Sequence, residues 1–466
     1  MKTLSNKLTF FALLAIVFML QSCDSDDNET TPDVVLPTTI VDVAIATPEL
    51  SSLVAALLAA DGDLPSVLSG TGPFTVLAPS NEAFANFLSA NDFAGLDDVP
   101  TDVLSQVLLN HVIAGQLESA DLIALGSGYA NTSASGAGGR AMSLFFDTSD
   151  GVTFNGISTV TAADVEASNG VIHLVDAVIG LPTIVDHAAA NSNFTSLVSA
   201  LTTDGNTVFT DLLSTPGDFT VFAPINDAFE AFDNPDMNEL NNILSNHVVV
   251  GASVFSDQLS NSYVSTAAVL PGTENNLSLY INTDDGVVLN GESSVAIADV
   301  VASNGVIHAV DAVIDLPTVV DFAASNPLFE TLVAALTRED LQTDFVSILS
   351  STDPTLAPFT VFAPTNDAFG ALLEELEVEG LGDIAEETLS ATLMTHVVSK
   401  ANVLAEQLTD AMEITTLGGI ITTDLSDGAK LVDQNGRESG IIAVDVQSVN
   451  GVIHVIDRVL LPNLGE

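Results

Sequence analysis

Seven histidines are the residues in this chain best suited to acid–base or metal chemistry, and six of them recur at matched places in three related segments. His111, His247 and His396 occupy one place; His173, His308 and His454 occupy the other. A catalytic or ligand role would need acidic or nucleophilic groups converging on the imidazoles. Asp176, Asp311 and Asp457 each follow a histidine by three positions, but on a strand alternate side chains face opposite ways, so they are poor partners for it. An imidazole set among Val, Ile and Leu is instead expected to be a hydrogen-bonded core group. Acidic turns at 147–150, 282–285 and 424–427 bring together the oxygen donors that calcium favours. Each ends in Asp-Gly between strand-like segments, which a hairpin turn explains by itself, so no metal site and no cofactor is expected. The chain contains no Gly-x-Ser-x-Gly elbow, His-Glu-x-x-His helix, P-loop or dinucleotide fingerprint, which leaves a hydrolase reading without a nucleophile to assign.

The single cysteine has a different chemistry. Lys2 and Lys7 precede an apolar run at 8–20, and Leu20-Gln21-Ser22 leads directly into Cys23. A run of thirteen residues suits an export signal and is too short to span a bilayer, which needs about 20 in a helix. Leu20-Gln21-Ser22-Cys23 resembles the bacterial lipobox, which implies a signal peptide at 1–22 and lipid attachment at Cys23. Residues 23–36 are polar and acidic and read as a solvated tether. They are similar to the acidic segments that direct some lipoproteins to the outer face of the outer membrane; an orientation toward the periplasm is the alternative.

Composition narrows the partners. Against 62 acidic residues stand 8 basic ones, a formal charge of −54, so no basic patch can neutralise nucleic-acid phosphates or anionic headgroups. Contact with a membrane is expected through the lipid anchor only. A hydrophobic fraction of 47% nonetheless provides for a packed core.

The elements that hold the histidines come from an internal repeat. FTVLAPSNEAF at 74–84 recurs as FTVFAPINDAF at 219–229 and FTVFAPTNDAF at 359–369, and NGVIHLVD at 169–176 recurs at 304–311 and 450–457. Leu-Pro pairs at 36–37, 181–182, 316–317 and 461–462 punctuate the copies, giving domains at 37–181, 182–316 and 317–462. In the first half of each copy Leu50, Leu53, Val54 and Leu57, and likewise Phe194, Leu197, Val198 and Leu201 or Phe329, Leu332, Val333 and Leu336, follow helical spacing. The second half carries Asp-Gly and Asn-Gly pairs between short β-rich runs and predicts an antiparallel meander. Helices in one half and strands in the other make each domain α+β. The small-residue stretch 126–140, unique to the first copy, reads as a spacer in preference to a contact loop. The apolar, proline-bearing linkers at 179–186 and 314–321 predict semi-rigid packing of one domain on the next.

The two blocks, with a histidine segment between them, resemble the signature blocks and central motif of the fasciclin domain family over residues 37–462. The resemblance implies three tandem wedge-shaped β-sandwiches with packed helices. It also implies a non-catalytic adhesion or matrix-contact protein, whose partner would be a surface or matrix protein or polysaccharide. A periplasmic or envelope-facing module that binds glycan or protein is the second reading. The central motif of animal matrix members is a Tyr-His pair linked to integrin; the positions here are Asn110-His111, Asn246-His247 and Thr395-His396. These six are the candidate adhesion residues, and without the tyrosine or any Arg-Gly-Asp integrin binding is not carried over.

Overall fold

The computed structural model describes residues 38–234 and 237–463. The leader, Cys23 and the acidic tether lie outside the described residues.

Domain 1 begins with α1 (Ile40–Ala46), whose N-terminus is closed by a capping box between Thr39 and Asp42; Thr183 with Asp186 and Thr318 with Asp321 repeat it in domains 2 and 3. Next comes α2 (Ser51–Ala59), which buries Leu53 and Leu57 beside Leu50, as the spacing requires. After the short α3 (Leu64–Leu68), the repeated apolar block forms β1 (Phe74–Pro79). Ser80 then starts α4 (Asn81–Ala90) by accepting from Ala83 N. The invariant Asn of that block works at a distance: Asn81 Oδ1 accepts from Ser52 N at 2.8 Å while Nδ2 donates to Pro48 O at 3.0 Å, so it closes the exposed start of α2. Asn226 and Asn366 do the same for their domains. Then come α5 (Thr101–Leu109), β2 (Val112–Ala114) and α6 (Ser119–Leu125).

The second half is the expected meander: β3 (Ser127–Ser135), β4 (Ala141–Asp147), β5 (Thr153–Phe154), β6 (Ser158–Ala167) and β7 (Gly170–Val175), each antiparallel to the next. One pairing was not legible in the turn pattern. β1 inserts parallel to β7, Phe74 opposite Gly170 through Pro79 opposite Val175, and it brings β2 with it. Seven strands thus make one curled sheet, closed into a barrel in domain 1 where β2 meets β3, and domains 2 and 3 repeat the strand order. This is the α+β architecture expected. One core lies between sheet and helices, around Leu53, Leu104, Val107 and Ile172. A second lies inside the curl, around Leu77, Leu144, Phe154 and Val175.

The parallel insertion corrects the reading of the third Asn-Gly pair. Asn155 and Gly156 have φ of 47° and 66°, as a tight hairpin requires. In the NGVIH block the glycine serves a close approach instead: a Cβ on Gly170, Gly305 or Gly451 would lie 1.9, 2.3 or 2.3 Å from the carbonyl oxygen of Phe74, Phe219 or Phe359.

Consecutive domains join through one repeated junction. Tyr129 on β3 accepts from Asn191 Nδ2 at 3.1 Å, and Tyr263 accepts from Asn326 Nδ2 at 3.0 Å. Ser143 Oγ accepts from Val301 N and Ser278 Oγ from Gln447 N, at 2.9 and 3.0 Å. Stretch 126–140 is therefore a correction: it contains strand β3, and Arg140 reaches domain 2, pairing with Asp257 at 2.6 Å and covering the Phe255 ring at 4.5 Å. Small residues there reflect close packing, for a Cβ on Gly138 would meet the Phe255 ring at 2.6 Å.

Candidate functional site

The central motif sits where α5 gives way to β2. Asn110 is the C-cap of α5 and His111 follows it, so both side chains point back into the domain; both are buried, as are Asn246, His247, Thr395 and His396. His111 Nε2 accepts from Ile179 N at 3.0 Å, so the proton is on Nδ1, which donates to Val107 O at 2.7 Å. The other two central histidines repeat this: His247 lies between Ile243 O and Ile314 N, and His396 between Thr392 O and Leu460 N. Burial drives all three imidazoles down to about 4, against the hydrogen bond to the helix carbonyl, and holds them neutral.

The asparagine completes a clasp. Asn110 Nδ2 donates to Gly180 O at 2.8 Å and its Oδ1 accepts from Thr132; Asn246 does likewise with Asp315 O and Thr266. Together the pair holds the last residues before each Leu-Pro linker. Thr395 has no such reach and returns its hydroxyl to Ala391 O, so in domain 3 Asp433, Asn435 and Arg437 hold residues 459–462 instead. The six candidate adhesion residues thus face inward. A partner approaching from solvent meets the backbone they position, not their side chains.

The second set of histidines is also engaged. Asp164 N donates to His173 Nδ1 at 3.2 Å, which puts the proton on Nε2, 2.9 Å from Leu117 O; His308 repeats this with Asp299 N and Val254 O. His454 Nε2 bonds Val403 O at 2.8 Å and its Nδ1 is unpartnered. Burial lowers the basicity of His308 and His454. Asp176 turns away, as expected, and accepts from Thr159 N at 2.7 Å.

The acidic partners that sequence reasoning missed are Asp164, Asp299 and Asp445. Each precedes its histidine by nine residues, and each has a φ near +60° (58°, 60° and 59°) at a bulge. Their constancy of spacing is the signal that could have found them. Ser119, Asp164 and His173 lie together without forming a relay: the Ser119 hydroxyl and amide both bond the carboxylate, and this pulls Asp164 below its usual range. The serine does not address the imidazole, and Nδ1 is already taken. The acidic turns are likewise satisfied locally. Asp147 accepts from Ser149, Asn282 from Asp284 N and Asp424 from Ser426. Among the described residues no three His, Cys, Asp or Glu side chains gather as a metal ligand set.

Apolar cavities of about 20, 50 and 30 Å³ lie beside His111, His247 and His396, room for little more than a water. Wider crevices open at the junctions: about 440 Å³ beside Asn155, Leu181 and Asp186, and about 170 Å³ beside Asn290, Glu292, Asp315 and Asp321. In the second, burial and then Asp321 and Asp315 raise the Glu292 carboxyl.

The fasciclin domain model matches residues 48–182, 192–317 and 327–462, and the chain belongs to the fasciclin family. It is 27% identical to human periostin over 441 residues, covering 91% of this chain and 47% of periostin. It is 28% identical to the pig transforming growth factor-beta-induced protein ig-h3 over 421 residues, covering 87% and 55%. Protein sll1483 of Synechocystis is 36% identical over 187 residues, 38% of this chain and 98% of that one. The chain thus spans about half the length of the two animal relatives. Among solved structures, a FAS1 domain pair from the insect cell adhesion molecule Fasciclin I aligns with a TM-score of 0.39 and 21% identity, over 59% of this chain and 98% of that one.

Proposed function

We propose that this is a non-catalytic surface protein, lipid-anchored at Cys23, that mediates adhesion or matrix contact through its three fasciclin domains. The observation that carries the reading is the use of the repeated histidines. In every domain the central imidazole is spent on two backbone groups, which fastens a helix to the domain's exit and leaves that imidazole no free nitrogen to act as a base. What the repeat offers to a partner is then one kind of outer surface, three times over. Linked weak sites of that sort gain avidity by effective concentration, by about 10² to 10⁴ without any new contact. A surface or matrix protein or polysaccharide is the class of partner that presents repeated sites in return.

Two experiments bear on it. Protease added to intact cells should degrade the chain if it faces outward; full protection would move it to the periplasmic side and refute surface adhesion. Cys23→Ala should shift the protein out of the membrane fraction and abolish fatty-acid labelling, and unchanged retention and labelling would refute the anchor.

A further inference from the structure

The junction is directional. One half, on β3 and β4 of the preceding domain, presents a tyrosine, an aromatic residue beside it and a serine: Tyr129, Phe145 and Ser143, then Tyr263, Tyr280 and Ser278. The other half, on the following domain, presents a flat ring, an asparagine and a strand amide: His187, Asn191 and Val301, then Phe322, Asn326 and Gln447. The tyrosine packs edge-on against the ring, at 5.8 and 5.4 Å between centroids. Two halves of unlike surface joined head to tail generate open-ended growth unless something stops it.

Both outer faces differ at these positions. In domain 3, β-pairing aligns Glu413 with Thr422 and Thr415 with Ile420, as Tyr129 is aligned with Phe145 and Asn131 with Ser143. Glutamate thus replaces the tyrosine, threonine the second aromatic, and Ile420, half-exposed, the serine. In domain 1, Val43 stands where His187 and Phe322 stand, Thr47 where the asparagines stand, and the exposed Glu166 where Val301 and Gln447 stand.

We infer that domains 1 and 3 carry disabled halves of the junction, which keep one copy of this chain from docking head to tail on another. A copy that tried would bury the Glu413 carboxylate against Val43 and Thr47 without a partner charge, and would offer the Glu166 amide an isoleucine instead of a hydroxyl. Neither loss is compensated.

Sedimentation equilibrium of the 24–466 chain in seawater-like NaCl should give a monomer. A variant with Glu413→Tyr, Ile420→Ser and Thr422→Tyr, mixed with one carrying Val43→Phe, Thr47→Asn and Glu166→Val, should form a one-to-one complex, while each alone stays monomeric. Head-to-tail association of the natural chain, relieved by substituting Glu413 or Glu166, would overturn the inference; so would a mixture of folded variants that stays monomeric. An existing junction gives a second test that does not depend on those variants folding. Tyr263→Phe with Ser278→Ala should open the buried linker at 316–318 to protease and leave the linker at 181–183 protected; unchanged resistance at 316–318 would show that these groups do not hold the junction.

Discussion

His247 shows how a residue type associated with chemistry becomes a fastener. Replacing it by phenylalanine keeps most of the volume but leaves the Ile314 amide, buried, without an acceptor. The expected cost is about 1–3 kcal/mol, seen as a lower urea midpoint for domain 2 with little change for its neighbours. The same residues set a pH dependence. His111, His187, His247 and His396 are held at about 4 in the folded chain, chiefly by burial, against 6.5 when unfolded. Between those values the unfolded chain binds more protons, so stability is full above about pH 6.5 and falls as the pH drops toward 4. Calorimetric melting between pH 7 and 4 should show that decline, and a flat profile would contradict it. His187 lies at the first junction, edge-on to Tyr129, with neither ring nitrogen in a formed hydrogen bond. His187→Phe, matching Phe322 in domain 3, should therefore reduce the acid sensitivity and raise the melting temperature at pH 5.

At the scale of elements, what was legible in the chain were features written in local spacing. The i, i+3, i+4, i+7 apolar runs gave the helices, and the Asp-Gly and Asn-Gly pairs gave the meander. The insertion of β1 beside β7 is a pairing of residues about 96 positions apart, as between Phe74 and Gly170, and no local pattern encodes it. Its trace was the repeated glycine, read first as a turn residue. Gly451→Ala should place a methyl carbon against the Phe359 carbonyl and lower the stability of domain 3 by about 3 kcal/mol, read from its urea midpoint, as a backbone clash in a core does. An equal loss at the exposed Gly382, where nothing lies within 4 Å and φ is not left-handed either, would argue that contact with the Phe359 carbonyl is not responsible. The candidate site was legible as a set of positions, since all six central residues were found by their repetition. Their inward direction was not, because spacing along a chain does not say which side of a helix end faces the exit strand.

For the whole molecule, charge is the governing quantity. The chain carries 41 Asp and 21 Glu against 8 basic residues. Of the basic residues described, Arg140, Arg338, Lys430 and Arg437 are already committed to ion pairs. The remaining carboxylates repel one another over distances that salt shortens, from about 8 Å at 0.15 M to about 3 Å at 1 M. The melting temperature should therefore rise from low to seawater-like NaCl, and a flat or falling curve would count against self-repulsion. Equal effects of NaCl and CaCl₂ at matched ionic strength would assign the gain to screening; a larger effect of calcium would point to a specific site.

For the anchored protein proposed above, the way each domain is entered and left would have a mechanical meaning. Chain arriving at domain 1 is tied to the start of β7 by Ser168 N to Thr38 O at 2.8 Å and by Ile40 N to Asn169 Oδ1 at 2.9 Å. Domain 2 uses Pro182 with Ser303 and Ile184 with Asn304, and domain 3 uses Pro317 with Val449 and Val319 with Asn450. Chain leaves from the far end of that same strand, at the Asn110–His111 clasp. Tension applied between an anchor and a bound surface would then run along one strand per domain, shearing its pairs with β1 and β6 together, while the helices and hairpins carry no load. Pulling single molecules should give high, similar rupture forces for the three domains. Asn304→Ala, by freeing the entry tie, should reroute the load through the helices and make domain 2 the first to yield.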